Sequence, residues 1–240
     1  MTLQTERGPQ REARISLPQL VSNIAVLGAD AFTLDLSADA FGHGAQRIAV
    51  AAAESGVTSF SVRSASEAAS LRNRMPAGTH LTVKSVDETS VTHAYGLEPA
   101  KHRGTKPVMR LSGRVLAVKK IAAGAGVSYG YTWRAPDDGW LALVPLGYGD
   151  GFVRAWGNRA TAQWQGISCP LAGRVAMDAH SIYTGAETAA VGDEVVYFGE
   201  HTSDVSAATF AEAVGAPVVS VTAALGLRIP RVYLEGVDAS

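Results

Sequence analysis

The stretch Ala31-Phe-Thr-Leu-Asp-Leu-Ser-Ala-Asp-Ala-Phe-Gly-His-Gly44 changes its period halfway along. Residues 31–36 read as a short strand and Phe41-Gly-His-Gly44 as a turn. The run after it, Ala45 to Glu54, places apolar residues at Ile48, Ala49, Ala52 and Ala53, a helical spacing that Gly56 closes. A second unit repeats the plan. Thr58-Ser-Phe-Ser-Val62 is strand-like, and a helix beginning at Ser66 carries Glu67, Ala68, Leu71 and Arg72 before Pro76. Two strand-turn-helix units in succession predict parallel strands joined by right-handed crossovers. A third strand, His80-Leu-Thr-Val-Lys84, follows directly, and upstream Arg14-Ile-Ser-Leu17 predicts a strand with Pro18 opening a helix to about Leu27.

The chain changes character near residue 103. Residues 87–106, with Gly96, Pro99 and Gly104, read as a connecting segment. Beyond it, Val108 to Ile121, Trp140 to Pro145, Thr161 to Trp164, Val175, Ile182 to Tyr183, Glu194 to Phe198 and Val218 to Thr222 are strand-like, with one helix at Ala207 to Val214. An α/β part followed by a mostly β part is the expected fold class.

Composition narrows the function classes. With 240 residues, 47% apolar and 18% charged, the chain is globular rather than disordered. A balance of 21 basic against 22 acidic residues gives no general pull toward nucleic acid or an anionic membrane. No apolar run approaches the roughly 18 residues of a membrane span, and the polar start, Met1 to Ala13, lacks the apolar core of a secretory signal. A single cysteine, Cys169, rules out an internal disulfide and any multi-cysteine metal site, so a soluble, cytoplasmic protein is expected. Histidines 43, 80, 93, 102, 180 and 201 lack the i, i+4 pairing of a helical metal site, and no metal is expected. Neither a Gly-rich phosphate loop nor a Gly-x-Ser-x-Gly elbow is present.

Five ordered blocks carry a specific resemblance. They are Tyr129-Gly-Tyr-Thr-Trp133, Val144-Pro-Leu-Gly-Tyr-Gly-Asp-Gly151 with Arg154, Gly173-Arg-Val-Ala-Met-Asp178, Val191-Gly-Asp-Glu-Val195 and Arg228-Ile-Pro-Arg-Val-Tyr233. In order and spacing they resemble the C-terminal β domain of alanine racemases. Upstream, Ser37-Ala-Asp-Ala-Phe-Gly-His-Gly44 is similar to that family's Lys-Ala-Asn/Asp-Ala-Tyr-Gly-His-Gly, Ser66-Glu-Ala-Ala-Ser-Leu-Arg72 to the helix after its second barrel strand, and Tyr95-Gly-Leu97 with Pro99 to the end of its last barrel turn. The resemblance implies a pyridoxal-phosphate fold of type III: a (β/α)8 barrel, a β domain, and a head-to-tail homodimer. In such enzymes a barrel lysine holds the cofactor as an imine, and a tyrosine of the neighbouring subunit works on the opposite face of the substrate Cα. That tyrosine corresponds to Tyr129, and Met177 to the position whose backbone meets the substrate carboxylate across the dimer.

The departures from the family are systematic. Ser37 stands where the cofactor lysine belongs, and a hydroxyl forms no imine with an aldehyde. Phe41 replaces the tyrosine that reaches the cofactor phosphate; Thr89 replaces the arginine facing the pyridine nitrogen, and Val91 the glycine that lets backbone approach the phosphate. Leu227 occupies the place of a further phosphate-contacting tyrosine found in some members. Of the five lysines, Lys84 alone ends a predicted barrel strand on the side where barrel chemistry sits; it reads either as a relocated imine lysine or as a solvated strand end. Tyr129 likewise reads as an inherited base position or as an interface tyrosine. Asp150 and Arg154 read as turn and packing residues, Arg174 and Asp178 as a pair across the β domain, and Gly42 and Gly44 as backbone donors to a small anionic ligand at a helix N-terminus.

Length completes the expectation. A closed (β/α)8 barrel takes roughly 250 residues, yet residues 20–102 carry three strand candidates. The predicted layout is a disordered tail at 1–13, a joining strand at 14–19, a truncated barrel remnant at 20–102 and an alanine-racemase-type β domain at 103–240. The open remnant is expected to be covered by a second copy. The predicted function is a dimeric binding or regulatory module without pyridoxal-phosphate racemase activity and with no cofactor. Its alternatives are an active racemase, using a relocated lysine or a partner-completed site, and a heterodimer with a full-length racemase that borrows Tyr129.

Overall fold

The structure is a computed structural model and describes residues 9–29, 32–84, 88–98, 104–199 and 205–235. The chain opens with strand β1 (Arg11–Ser16), followed by helix α1 (Leu17–Leu27). Ser16 caps α1 by accepting the Gln19 N–H, and Pro18 lies in the first turn. The barrel remnant then runs β2 (Leu34–Asp35), the turn α2 (Ser37–Phe41), α3 (Ala45–Glu54), β3 (Ser59–Val62), α4 (Ala65–Arg72), β4 (His80–Val83) and α5 (Glu88–Ala94). The strands β2, β3 and β4 pair in parallel, in that order, and form the only three-stranded sheet among the described residues. β2 and β4 are thus its edges, and Val83 on β4 is half-exposed.

The β part contributes β5 (Met109–Arg114), β6 (Ala117–Ile121), the short pair β7 (Gly126–Val127) and β8 (Trp133–Arg134), β9 (Gly139–Val144), β10 (Thr161–Trp164), β11 (Ile167–Ala172), β12 (His180–Gly185) and β13 (Glu194–Phe198). Two helices, α6 (Ala207–Glu212) and α7 (Val218–Ala223), precede the last strand, β14 (Arg231–Leu234). Nine strands form one sheet in the order β14-β1-β5-β13-β10-β11-β12-β9-β6. The first strand of the chain therefore lies between the last strand, parallel, and β5, antiparallel.

Several expectations need correction. The joining strand begins at Arg11, inside the segment predicted as a disordered tail, because both of its edges are hydrogen-bonded and Ala13 and Ile15 are buried; residues 1–8 lie outside the described residues. Residues 17–19, assigned to that strand, belong to α1 instead, since the Ser16 cap starts the helix there. The connecting segment at 87–106 contains α5, whose neighbourhood buries Val91, Ala94 and Tyr95 at helical spacing. Val218 to Thr222 is helix rather than strand: its β-branched residues favour a strand locally, but Val218, Val221 and Thr222 are buried at i, i+3, i+4, and packing decides.

One continuous hydrophobic core runs through both parts, from Ala13 and Ile15 through Ile48, Phe60 and Tyr95 to Trp156, Phe210 and Ile229. The barrel remnant is seated on the β domain rather than tethered beside it. At the junction, α2 is unusual: Ala38, Asp39, Ala40 and Phe41 all have φ between 50° and 56°, a left-handed turn that costs roughly 1–2 kcal/mol per non-glycine residue. It is held by Glu67, whose carboxylate accepts the Ala38 N–H at 2.7 Å, and by Asp39, whose carboxylate accepts the Ala45 N–H at 2.7 Å. Ala38 is exposed, so Ala38→Gly relieves strain without opening a cavity. We expect it to stabilise the protein by about 1 kcal/mol in urea unfolding; an unchanged or lowered midpoint means that the left-handed turn is not the solution conformation.

Candidate functional site

The parallel strands β2, β3 and β4 end on one side of their sheet, at the mouth; Arg63 and Lys84 follow β3 and β4 directly, and Ser37 comes two residues after β2. Ser37 is buried, and both its backbone N–H and its hydroxyl donate to one oxygen of Asp35, at 2.9 and 2.5 Å. Asp35 is itself buried on β2, in register with Ser61 of β3. Its second oxygen accepts no hydrogen bond and faces the Arg63 guanidinium at 3.9 Å. Arg63 also lies over the Phe41 ring, 5.7 Å from its centroid, while Phe41 meets Tyr95 edge-on and the Tyr95 hydroxyl donates to the Asp35 carbonyl at 2.7 Å. A carboxylate, a hydroxyl, a guanidinium and two rings thus occupy the place where the resemblance puts an imine lysine and its phosphate contact.

These residues do not fit pyridoxal phosphate. The hydroxyl at Ser37 is committed to Asp35, Phe41 offers no donor, and the Arg63 guanidinium faces the buried Asp35 carboxylate, which competes with a phosphate for it. Val91 is buried within α5. Thr89 lies on α5 as well, with its side chain outside the described residues. Lys84 is exposed past the end of β4, on the edge of the open sheet, with its backbone N–H bonded to the Val62 carbonyl. Leu227 is almost fully exposed.

The remaining sequence candidates stand apart from this mouth. Tyr129 is 66% exposed on a turn of 3₁₀ helix (Tyr129–Tyr131) and lines a cleft with Lys119, Ile121, Ser128, Tyr131 and Leu141, not with the Ser37 cluster. The hydroxyl of Ser128 beside it donates to the Arg174 carbonyl at 2.6 Å, which fixes the turn. Met177 is half-exposed, and its carbonyl accepts the Gly149 N–H at 2.9 Å.

Two readings differ from expectation. The predicted anion site at Gly42 and Gly44 is filled from within: Asp39 takes the Ala45 N–H, and the Tyr233 hydroxyl donates to the His43 carbonyl and sits where any Cβ at Gly44 would go. Arg174 does not pair with Asp178; Arg228 does, at 2.6 Å, because it reaches across from the last loop. Asp150 serves its turn and its packing as expected, fully buried with its carboxylate accepting the Gly147 N–H at 2.9 Å, and the Arg11 and Arg228 guanidinium groups flanking it at 3.3 Å also tie β1 to the β domain. Sequence reasoning missed Asp35 and Arg63. The available signal was a carboxylate inside the otherwise apolar strand Phe32-Thr-Leu-Asp-Leu36.

Burial shapes the chemistry of the other ionisable groups. Burial pushes the Cys169 thiol up to about 11, which leaves it un-ionised and inert as a nucleophile. Among the described residues, no group of three or more His, Cys, Asp or Glu side chains could hold a metal ion, and no helix is long and apolar enough to cross a membrane.

Comparison with known proteins agrees with this architecture. The family model "Alanine racemase, N-terminal domain" matches residues 16–104 and "Alanine racemase, C-terminal domain" matches residues 108–233. An alanine racemase of Desulfovibrio desulfuricans is 37% identical over 146 residues, 59% of this chain and 39% of its own length. One from Beutenbergia cavernae is 35% identical over 209 residues, 78% of this chain and 55% of its own length. The chain therefore spans about half, or less, of the curated relatives it matches. Among solved structures, alanine racemase from Streptomyces coelicolor superposes with a TM-score of 0.82 at 20% identity, covering 95% of this chain and 98% of that one. The Bartonella henselae enzyme, with covalently bound pyridoxal phosphate, gives 0.81 at 16% identity, covering 95% and 100%. At these identities the likeness is one of fold.

Proposed function

Because this chain belongs to the alanine racemase family, we propose that it is a member without the imine chemistry of its relatives, acting as a dimeric binding or regulatory module through its β domain. The observation that carries this reading is the Ser37 hydroxyl donating to the buried Asp35 carboxylate, with Arg63 closing over both Asp35 and Phe41. No amine stands there, and the Arg63 guanidinium faces the Asp35 carboxylate. The exposed Tyr129, Tyr131, Tyr148 and Met177 of the β domain supply an amphipathic surface suited to a second copy of the chain.

The test is reduction with borohydride after incubation with pyridoxal phosphate, on the wild-type chain and on Lys84→Ala. The expected result is no trapped adduct in either protein and no conversion of L-alanine to D-alanine. An adduct in the wild type that disappears in Lys84→Ala, together with racemisation, overturns the proposal in favour of a relocated lysine. The exposure of Tyr129 on a turn fixed by Ser128 supports a second reading, in which the module lends this tyrosine to a full-length racemase. That reading expects co-purification and a stimulation of the enzyme that Tyr129→Phe abolishes; absence of a complex ends it.

A further inference from the structure

We propose that the cleft walled by residues 154–159 and by Arg174 binds a small phosphate-bearing molecule. Three guanidinium groups, Arg154, Arg159 and Arg174, line a cleft of about 470 Å3 together with Thr132 and Asn158, and no acidic side chain joins them. In a chain whose net charge is −1, this is a local concentration of three positive charges. No ion pair engages any of the three among the described residues. Arg154 has one ring neighbour, with its guanidinium 5.9 Å from the Tyr148 centroid.

The cleft is rigid, which distinguishes it from a scatter of surface arginines. Trp156, between Arg154 and Arg159, is buried and its indole N–H donates to the Phe210 carbonyl at 2.9 Å. Asn158 holds φ 66°, bonds its backbone N–H to the Leu171 carbonyl at 3.0 Å, accepts the Gly173 N–H at 2.8 Å and donates to the Thr132 hydroxyl at 2.9 Å. That last bond uses the Thr132 oxygen as acceptor and leaves its own proton to donate to a ligand. Gly157 packs so closely on the opposite wall that an added Cβ would stand 2.4 Å from the Gly173 carbonyl oxygen. The two walls that carry the arginines are therefore bolted together.

Guanidinium forks match the planar edges of phosphate oxygens and form paired, charge-assisted hydrogen bonds with them. The volume exceeds that of one phosphate and falls within the range of small-molecule sites, which favours a diphosphate or a phosphomonoester over a lone inorganic ion. None of its lining residues belongs to the Ser37 cluster; it borders Tyr148 and the Tyr129 turn instead.

Titration calorimetry with inorganic pyrophosphate at low ionic strength tests the proposal on the whole chain. Saturable binding is expected, weakened about tenfold by either Arg159→Gln or Arg174→Gln and lost in the double variant. Arg72→Gln, an exposed arginine on α4, should leave it unchanged. Thr132→Val, which keeps all three charges, should weaken it without abolishing it. Absence of saturable heat, equal binding by the double variant, or an equal effect of sulfate at matched ionic strength overturns the site. If the double variant unfolds, the two single variants and Thr132→Val decide the matter in the same way.

Discussion

Lowering the pH from about 7.5 to about 5 should cost the protein about 4 kcal/mol of stability, well before its carboxylates titrate. Two fully buried histidines are responsible. His43 sits against the Tyr95 ring, with Nδ1 donating to the carbonyls of Ala40 and Phe41 at 2.8 and 3.1 Å and Nε2 buried without a partner. His180 donates from Nδ1 to the Leu146 carbonyl at 2.7 Å, accepts from the Tyr197 hydroxyl at 3.1 Å and stacks flat on Phe152. Burial lowers the pKa of each from 6.5 to about 4. Between those two values the unfolded chain binds protons that the folded chain refuses. Stability is therefore full above pH 6.5 and falls as the pH drops toward 4, by about 2 kcal/mol per histidine at pH 5. Below that window Glu194, held at about 2 by its hydrogen-bonded Arg110 partner, adds a further loss. Urea-unfolding midpoints at the two pH values measure the effect, and equal midpoints refute it. His180→Gln should be less stable at neutral pH but lose about half as much on acidification.

The second large effect is expected at Arg231. Its guanidinium donates to four backbone carbonyls, Gly42, Leu225, Gly226 and Ile229, at 2.5 to 3.0 Å. One of these belongs to the barrel remnant and three to the final loop, so the side chain fastens the left-handed turn of α2 to the β domain. Gly42 has no room to adjust, since a Cβ there would stand 2.3 Å from the Thr222 carbonyl oxygen. Arg231→Met leaves these carbonyls without their charged donor, and about 3–5 kcal/mol should be lost. Arg231→Lys recovers little, because a single ammonium cannot span four acceptors laid out for a planar fork. Guanidinium chloride unfolding reads both variants. A loss below about 1 kcal/mol for Arg231→Met would mean that water satisfies the carbonyls equally well.

Much of the fold was legible because local pattern and tertiary demand agreed. Pro18 and Gly56 punctuated α1 and α3 correctly, and the β-rich runs at 58–62 and 80–84 became β3 and β4. Where the two conflicted, packing prevailed, as in α7, whose valines read as strand until their burial spacing is considered. The strand and turn around Ser37 and Phe41 were legible from the change of period there. The role of Asp35 was not, because the sequence cannot say that a carboxylate two residues before Ser37 turns back onto its hydroxyl. The arginine cleft was equally hidden: its members come from two separate blocks, and only the Asn158 and Gly157 contacts across the sheet bring them together.

The unbroken core that passes from Ile15 through Tyr95 to Ile229 bears on how such a chain is inherited. A barrel is usually regarded as indivisible, since each strand depends on both neighbours for closure. Here the surviving helices rest on the β domain, with Asn23 of α1 fastened to the Ala94 and Lys106 carbonyls and α2 fastened through Arg231. A scaffold of this kind keeps a continuous buried core with three barrel strands, because the segment present is the one anchored elsewhere. The dispensable unit is then defined by where the anchors lie and not by the symmetry of the barrel.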